Sequence, residues 1–441
     1  MLELSLSRRM VRAARGVTID RLPPEVVAKV KIGLLDFLSC AYEARDLPWG
    51  CQAVSMASQA SGHAMVIGTP VCTSPSEAAF ANATLGHGLV REDMHTGAVS
   101  HLGVVIFPTL LALAGRQKVS GSDFVLGAVC GYEIGAAVGR ALMDREIIRR
   151  FRPTGITGPL AGAMAGSQML ALDEDTTVSA LGFAANATGG LNEWPYCGGE
   201  EMFFHPGFAA RNAVTAVELA ALGARASESA LDGRAGLFAG LNKSDSIARV
   251  QPFSGDALEI LSVYYKPAPA CNYAQTACQA ALPLAMQYEF PTGDIDSIVV
   301  RASEAAVKYP GCDYAGPFER ILQAKMSIQY CVAATLVLGA IEESNYHALD
   351  DPEINRLAGI TRLEIDPKFT AAYPGLQGTE LIVKSKRGVM RSSLDDVIPA
   401  TPDQIRARFR SACGNWRVIE EMVDELEKQK DISDLSGGLS A

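Results

Sequence analysis

The sequence predicts a mostly α protein, a large all-helical domain joined to a smaller α+β domain. Three observations carry this. Of the 441 residues, 48 % are hydrophobic but only 7 % aromatic, with 41 glycines, which suits helices packed closely through small side chains. Apolar residues recur at helical spacing almost without a break to about residue 265. Near residue 290 the pattern changes to short β-rich runs. The predicted division is 1–268 plus 396–441 for the helical domain and 269–395 for the α+β domain.

The elements follow in order. PPEVVAKVKIGLLDFLSCAYEAR (23–45) opens on prolines suited to a first turn and sets Val26, Val30, Ile32, Leu35 and Phe37 roughly on one face. SPSEAAFANATLGHGL (74–89) offers Ser74 or Ser76 as N-cap, with Glu77 in the first turn. SGSDFVLGAVCGYEIGAAVGRALM (120–143) repeats that recipe, and its Gly127, Gly131, Gly135 and Gly139 predict near contact with a second helix. Residues 154–191 read as two helices joined at Leu-Asp-Glu-Asp. NEWPYCGGEEMFFHPG (192–207) is too rich in Gly and Pro for a helix and reads as a loop, and a helix resumes through 205–226. In the second region IDSIVVRAS, ITRLEIDP and TELIVKSKRG read as three strands, and 319–343 as one strongly apolar helix. Thr401, Pro402 and Gln404 form a capping-box start for a helical tail that can pack back on the first domain, and 433–441 reads as frayed.

Charge and cysteines narrow the function classes. The formal net charge is −10 and Lys and Arg form no runs, which argues against nucleic-acid or anionic-membrane partners. Ten cysteines without a CxxC pair signal no zinc site. The first residues lack the apolar stretch of a signal peptide, and no uninterrupted apolar run reaches the ~18–20 residues of a membrane span. A cytoplasmic protein with reduced thiols is expected.

Chemistry concentrates in HGLVREDMHTGAVSHLG (87–103), which holds three of the six histidines. If the preceding helix continues, His87 and Arg91 share a face. His101 stands just before VVIFPTLLALAG, a core helix whose N-terminus would attract a carboxylate and hold a nearby histidine neutral. A neutral imidazole beside a carboxylate is a general base. The same pattern also suits a polar helix junction with satisfied histidines. Arg152, before Pro153 and a Gly-rich helix start, is placed to clamp a carboxylate, whereas Arg149 and Arg150 suit a solvated turn. The glycines there do not follow nucleotide-binding spacing. Lys266 at the domain junction could stabilise a developing negative charge, or be a linker lysine in water. Cys271 reads as an apolar filler before a nucleophile, and His205, between aromatics and a Pro-Gly turn, as structural.

Taken together, five stretches resemble the MmgE/PrpD family in order along nearly the whole chain. HGLVREDMHTGAVSHLGVVIFPTLLALA is similar to the family's HALDFDDTH…HPSAAVLPALLALAE, and FRPTGITG to FHPTGTFG. FFHPGFAARNAV is similar to KPLHAGRAARNG, YKPAPACNYAQTACQAAL to KPYPSC…HPAIDA, and AKMSIQYCVAATLVLG to ARFSLPYAVAAAL. The family includes 2-methylcitrate dehydratase, cis-aconitate decarboxylase and iminodisuccinate epimerase. The resemblance implies a helical domain with an α+β lid, a homodimer, an active site in the cleft between domains, and no metal or organic cofactor. It implies small polycarboxylate substrates that lose a proton next to a carboxylate, followed by loss of water or CO2 or by reprotonation.

Position by position, His101, Asp93, His95, His205 and Lys266 are kept. The first aspartate of DFDDTH becomes Val90, its phenylalanine Arg91, its next aspartate Glu92 and its threonine Met94. The histidine of FHPTG becomes Arg152, and the lysine of KPLHAG falls on Met202. The expected enzyme is a cofactor-independent lyase of the dehydratase type with an altered substrate pocket. His101 is the expected base or acid, with Asp93 orienting it, Lys266 and Arg152 on carboxylate or carbanion, and His95 and Arg91 as further choices. His205 is assigned to substrate binding by the resemblance. An epimerase, a decarboxylase and a non-catalytic carboxylate binder are the alternatives.

Overall fold

The computed structural model describes residues 4–115, 117–287 and 292–440. Two apolar cores organise them. The larger runs through helices between Leu6 and Tyr265 and returns through Ile405, Phe409, Ile419, Val423 and Leu439. The smaller collects side chains between Ala268 and Val383, with Trp49, Val90, Trp194, Met202 and Phe203 reaching into it from the first region.

At the centre of the larger core lies helix Gly103–Ala114, buried at every position. An all-apolar helix of that kind has no solvent face and must be surrounded. Helix Gly121–Leu142 packs beside it and against Pro153–Met169. The glycine stripe explains the close approach. A Cβ at Gly127 would lie 2.7 Å from the Ala165 carbonyl oxygen, and one at Gly131 would lie 2.9 Å from that of Ala161. Helix Gly121–Leu142 is long and apolar enough to cross a membrane, yet 89 % of its most apolar window is buried inside the fold. Ser74, Ser120 and Thr401 cap their helices as expected, the last with a full capping box to Gln404, and Asp173 caps the helix after the Leu-Asp-Glu-Asp junction.

The second region is built on one four-stranded sheet. β1 (Ile295–Ala302) lies between β2 (Thr361–Ile365), to which it is parallel, and β3 (Thr379–Ser385), to which it is antiparallel. β4 (Gly388–Leu394) closes the edge as a hairpin partner of β3. Three of these strands match the sequence expectation. β4 was missed because, as an edge strand with no buried residue, it has no apolar alternation to read.

Other expectations need correction. The apolar segment 319–343 is two helices, Ile321–Met326 and Ile328–Leu338, because Ser327 leaves helical geometry and its hydroxyl caps the second. The Gly/Pro-rich segment contains single turns at Trp194–Cys197 and Glu201–Phe204. The C-terminal segment is not frayed: Ser433–Gly438 is helical, and Leu435 and Leu439 are buried in the larger core. Helix Pro75–His87 ends at His87, and Val90 turns the chain with φ +56°, so His87 and Arg91 do not share a face.

Candidate active site

The segment from His87 to Gly103 is a buried loop between two core helices. Val90 (φ +56°) and Val99 (φ +50°) both take left-handed backbone conformations. A β-branched residue there costs roughly 1–3 kcal/mol, which the surrounding core must offset. Between them, Met94–His95 forms a two-residue antiparallel pairing with Val263–Tyr264, which fixes the loop against the segment leading to Lys266.

Asp93 anchors the loop to the central helix. Its carboxylate accepts the Gly103 backbone N–H at 3.2 Å and the Tyr132 hydroxyl at 2.7 Å. Only glycine fits at 103, because a Cβ would lie 2.4 Å from the Tyr132 hydroxyl oxygen. Burial pushes the Asp93 carboxyl up to about 6, against the pull of Tyr132. Asp93 meets His101 through its backbone carbonyl, which accepts from His101 Nδ1 at 2.8 Å.

Glu92 sits between two imidazoles. Its Oε1 contacts His87 Nδ1 and lies 3.1 Å from His101 Nδ1, and all three side chains are at least 96 % buried. The hydrogen-bond network assigns both tautomers. The Arg152 guanidinium donates to His87 Nε2 at 3.3 Å, so His87 carries its proton on Nδ1 and gives it to Glu92. His101 Nδ1 faces only acceptors, the Asp93 carbonyl and Glu92, so it too is an N–H. That leaves His101 Nε2 as a lone pair with no hydrogen bond among the described residues. Burial, with the positive charge of Lys266, holds the His101 pKa well below its ordinary value. Burial also lowers His87. Burial alone would raise Glu92, but the two histidines and Lys266 hold it well below the usual carboxylate range.

His101 opens on a narrow cavity of about 20 Å³, room for about one water. Val90, Met94, Val99, His101 and Arg152 line it from the helical side. Cys271, Asn272, Tyr273, Tyr309 and Met326 line it from the smaller domain. Arg152 donates to the Tyr309 hydroxyl at 3.3 Å and leaves its Nε buried without a partner. Lys266 is fully buried and donates to the Ala270 carbonyl at 3.3 Å, and burial lowers its pKa.

The remaining expected residues lie elsewhere. His95 bonds Glu259 beside an open chamber of about 520 Å³ that also holds Arg140. Arg91 is turned away to Glu43, at 2.7 Å, and lines a separate cavity of about 650 Å³. That cavity is far larger than the one His101 borders, but among the described residues no histidine lines it. His205 starts helix His205–Ala221 behind Arg152, with Gly190 between them, and its Nδ1 has no partner. Burial beside Arg152 brings its pKa down to about 3. Met202 is buried in the smaller core. Sequence reasoning missed His87 and Glu92 as members of the cluster. Both stand in the histidine-rich stretch, but only the left-handed turn at Val90 brings Glu92 back beside His87. Among the described residues, no group of three His, Cys, Asp or Glu side chains is arranged to hold a metal ion.

This mostly helical architecture with a smaller sheet domain is matched at the sequence level. Residues 8–249 match the MmgE/PrpD N-terminal domain and 268–427 the MmgE/PrpD C-terminal domain. The chain belongs to the MmgE/PrpD family. Among curated relatives, the cis-aconitate decarboxylase-like protein oryM of Aspergillus oryzae is 28 % identical over 456 residues, covering 94 % of this chain and 93 % of the relative. The cis-aconitate decarboxylase of Aspergillus terreus is 25 % identical over 464 residues, with 96 % and 93 % covered. That of Mus musculus is 24 % identical over 475 residues, with 99 % and 93 % covered.

Proposed function

We propose that the protein is a lyase of the dehydratase and decarboxylase type acting on a small polycarboxylate or hydroxy-acid. The observation that carries this is His101: one ring nitrogen is committed, and the other is a bare lone pair at a cavity shared with Arg152. The names of the three relatives given above, cis-aconitate decarboxylases or like them, support the same class.

In this reading Arg152, with its unpartnered Nε, binds a substrate carboxylate. His101 Nε2 takes the proton from the carbon next to a carboxylate. Glu92 then stabilises the imidazolium through Nδ1–H, and Lys266 and Arg152 stabilise the enediolate charge. Departure of hydroxide completes a dehydration. In a decarboxylation the C–CO2 bond supplies the electron pair instead, and an acid returns a proton to carbon. The cavity as it stands admits about one water, so substrate entry requires its two walls to part.

Epimerisation is the second reading, favoured by one observation. Val90 and Met94 line the cavity where the family pattern carries polar side chains, leaving fewer donors for a departing group. A homodimer and a cytoplasmic location belong to the same proposal, and sedimentation of the purified chain tests the dimer. The reaction is tested by proton NMR in D2O with citrate, 2-methylcitrate, cis-aconitate, malate-like acids and iminodisuccinate. The expected result is deuterium next to a carboxylate, or a new product, from at least one acid. No change in any of them, by a folded protein, counts against the proposal.

A further inference from the structure

We propose that the Cys271 thiol is a second proton-transfer group, facing the substrate from the wall opposite His101. The proposal rests on reading this cavity as a carbanion-forming site. His101 borders the cavity from the helical body, and Cys271 borders it from the smaller domain. A flat carbanion between the walls would meet an imidazole on one face and a thiol on the other.

Besides His101 and Cys271, the cavity-lining side chains with a transferable proton are two phenols, Tyr273 and Tyr309. The Tyr273 hydroxyl is engaged with that of Tyr373 at 3.0 Å, and the Tyr309 oxygen accepts from Arg152. Burial pushes both phenols up, away from proton transfer near neutrality.

The thiolate that proton delivery leaves behind is supported by its neighbours. Cys312 Sγ lies 3.6 Å from Cys271 Sγ and can donate its S–H. Burial opposes the Cys271 thiolate, but Cys312, the Tyr273 backbone N–H, Lys266 and Arg152 together outweigh it and lower the thiol pKa. Arg152, only 5 % exposed and with a spare Nε, marks the same space as built for an anion.

The step balances. The S–H bond breaks, a C–H bond forms from the carbanion pair, and the negative charge passes to sulfur. In decarboxylation that pair comes from the broken C–CO2 bond, and a solvent proton restores the thiol. In dehydration the thiol proton leaves with hydroxide as water. In epimerisation His101 holds the proton taken from one face while Cys271 supplies the other.

The test compares wild type, C271A and C271S, each confirmed folded, with the NMR panel. Product formation by C271A should fall at least ~10²-fold with KM changed less than about threefold, and C271S should recover part of the rate. For an epimerised acid, exchange should continue without inversion. C271A turnover within about threefold of wild type overturns the assignment. A wild-type protein inert toward every acid overturns the parent reading alone, and the thiol is then judged by thiolate absorbance at ~240 nm. A wild-type-minus-C271S difference that titrates below about 8.5 supports it, and one at or above about 8.5 overturns it.

Discussion

His95 and His101 stand on the same buried loop, yet the fold uses them differently. His95 accepts the Ala98 N–H on Nδ1 at 3.1 Å and bonds Glu259 through Nε2 at 2.9 Å, so both ring nitrogens are committed. His101 commits Nδ1 to the Asp93 carbonyl and Glu92 and keeps Nε2 free, with Arg152 and Lys266 close by. Burial is nearly equal, 2 % exposure against 3 %. What separates a structural histidine from a candidate base here is the nitrogen left over, and the sign of the charges around it.

The sharpest break of that comparison is paired alanine substitution. H101A should lower turnover of whichever acid is active by at least ~10²-fold, and H95A by less than about threefold. Equal effects would erase the distinction. Next in size, Arg152→Met should raise KM by roughly 10–100-fold with a smaller change in kcat, as for loss of a charge-assisted carboxylate contact. A change confined to kcat would move Arg152 from binding to chemistry.

The pH dependence sharpens the contrast further. Burial and Lys266 disfavour the protonated His101 ring, so the base stays neutral below the ordinary histidine pKa. The acid limb of kcat/KM should therefore lie below about pH 6.5, and a limb at or above that value would contradict a buried neutral base. Asp93 has the opposite linkage. Its folded pKa of about 6 is raised, so its contribution to stability is fully present below the unfolded value of about 3.9 and is lost as pH rises through 6. Asp93→Asn keeps an acceptor for Gly103 and removes the buried charge. Relative to wild type it should gain stability between pH 4 and 8, by up to about 3 kcal/mol in urea unfolding. The smallest effect expected is on H95A stability, a loss of about 1 kcal/mol from its broken hydrogen bonds.

Much of the fold was legible because it is written locally. The caps at Ser74, Ser120 and Thr401 are short-range side-chain bonds to the backbone. The Gly127–Gly139 stripe signals a close helix neighbour wherever that neighbour comes from. Strand β4 and the helix break at Ser327 were not legible. An edge strand is stabilised by its partner rather than by its own pattern, and a serine inside an apolar run does not announce that its hydroxyl will cap a new helix.

For the site, the sequence alone determined the residue types and their neighbourhood: histidines and carboxylates ahead of a buried helix, a lysine at a domain junction, and an arginine before a Gly-rich turn. Tertiary structure decided which of them meet. The left-handed turn at Val90 folds Glu92 onto His87 and sends Arg91 outward to Glu43. The pairing of Met94–His95 with Val263–Tyr264 holds His95 beside Glu259 rather than at the cavity, and packing of the smaller domain brings Cys271 and Tyr309 to face His101. The physical reason is range. Caps and periodicity act over a few residues and can be read along the chain, whereas the protonation state and orientation of a buried group depend on charges and hydrogen bonds contributed by segments far apart in sequence.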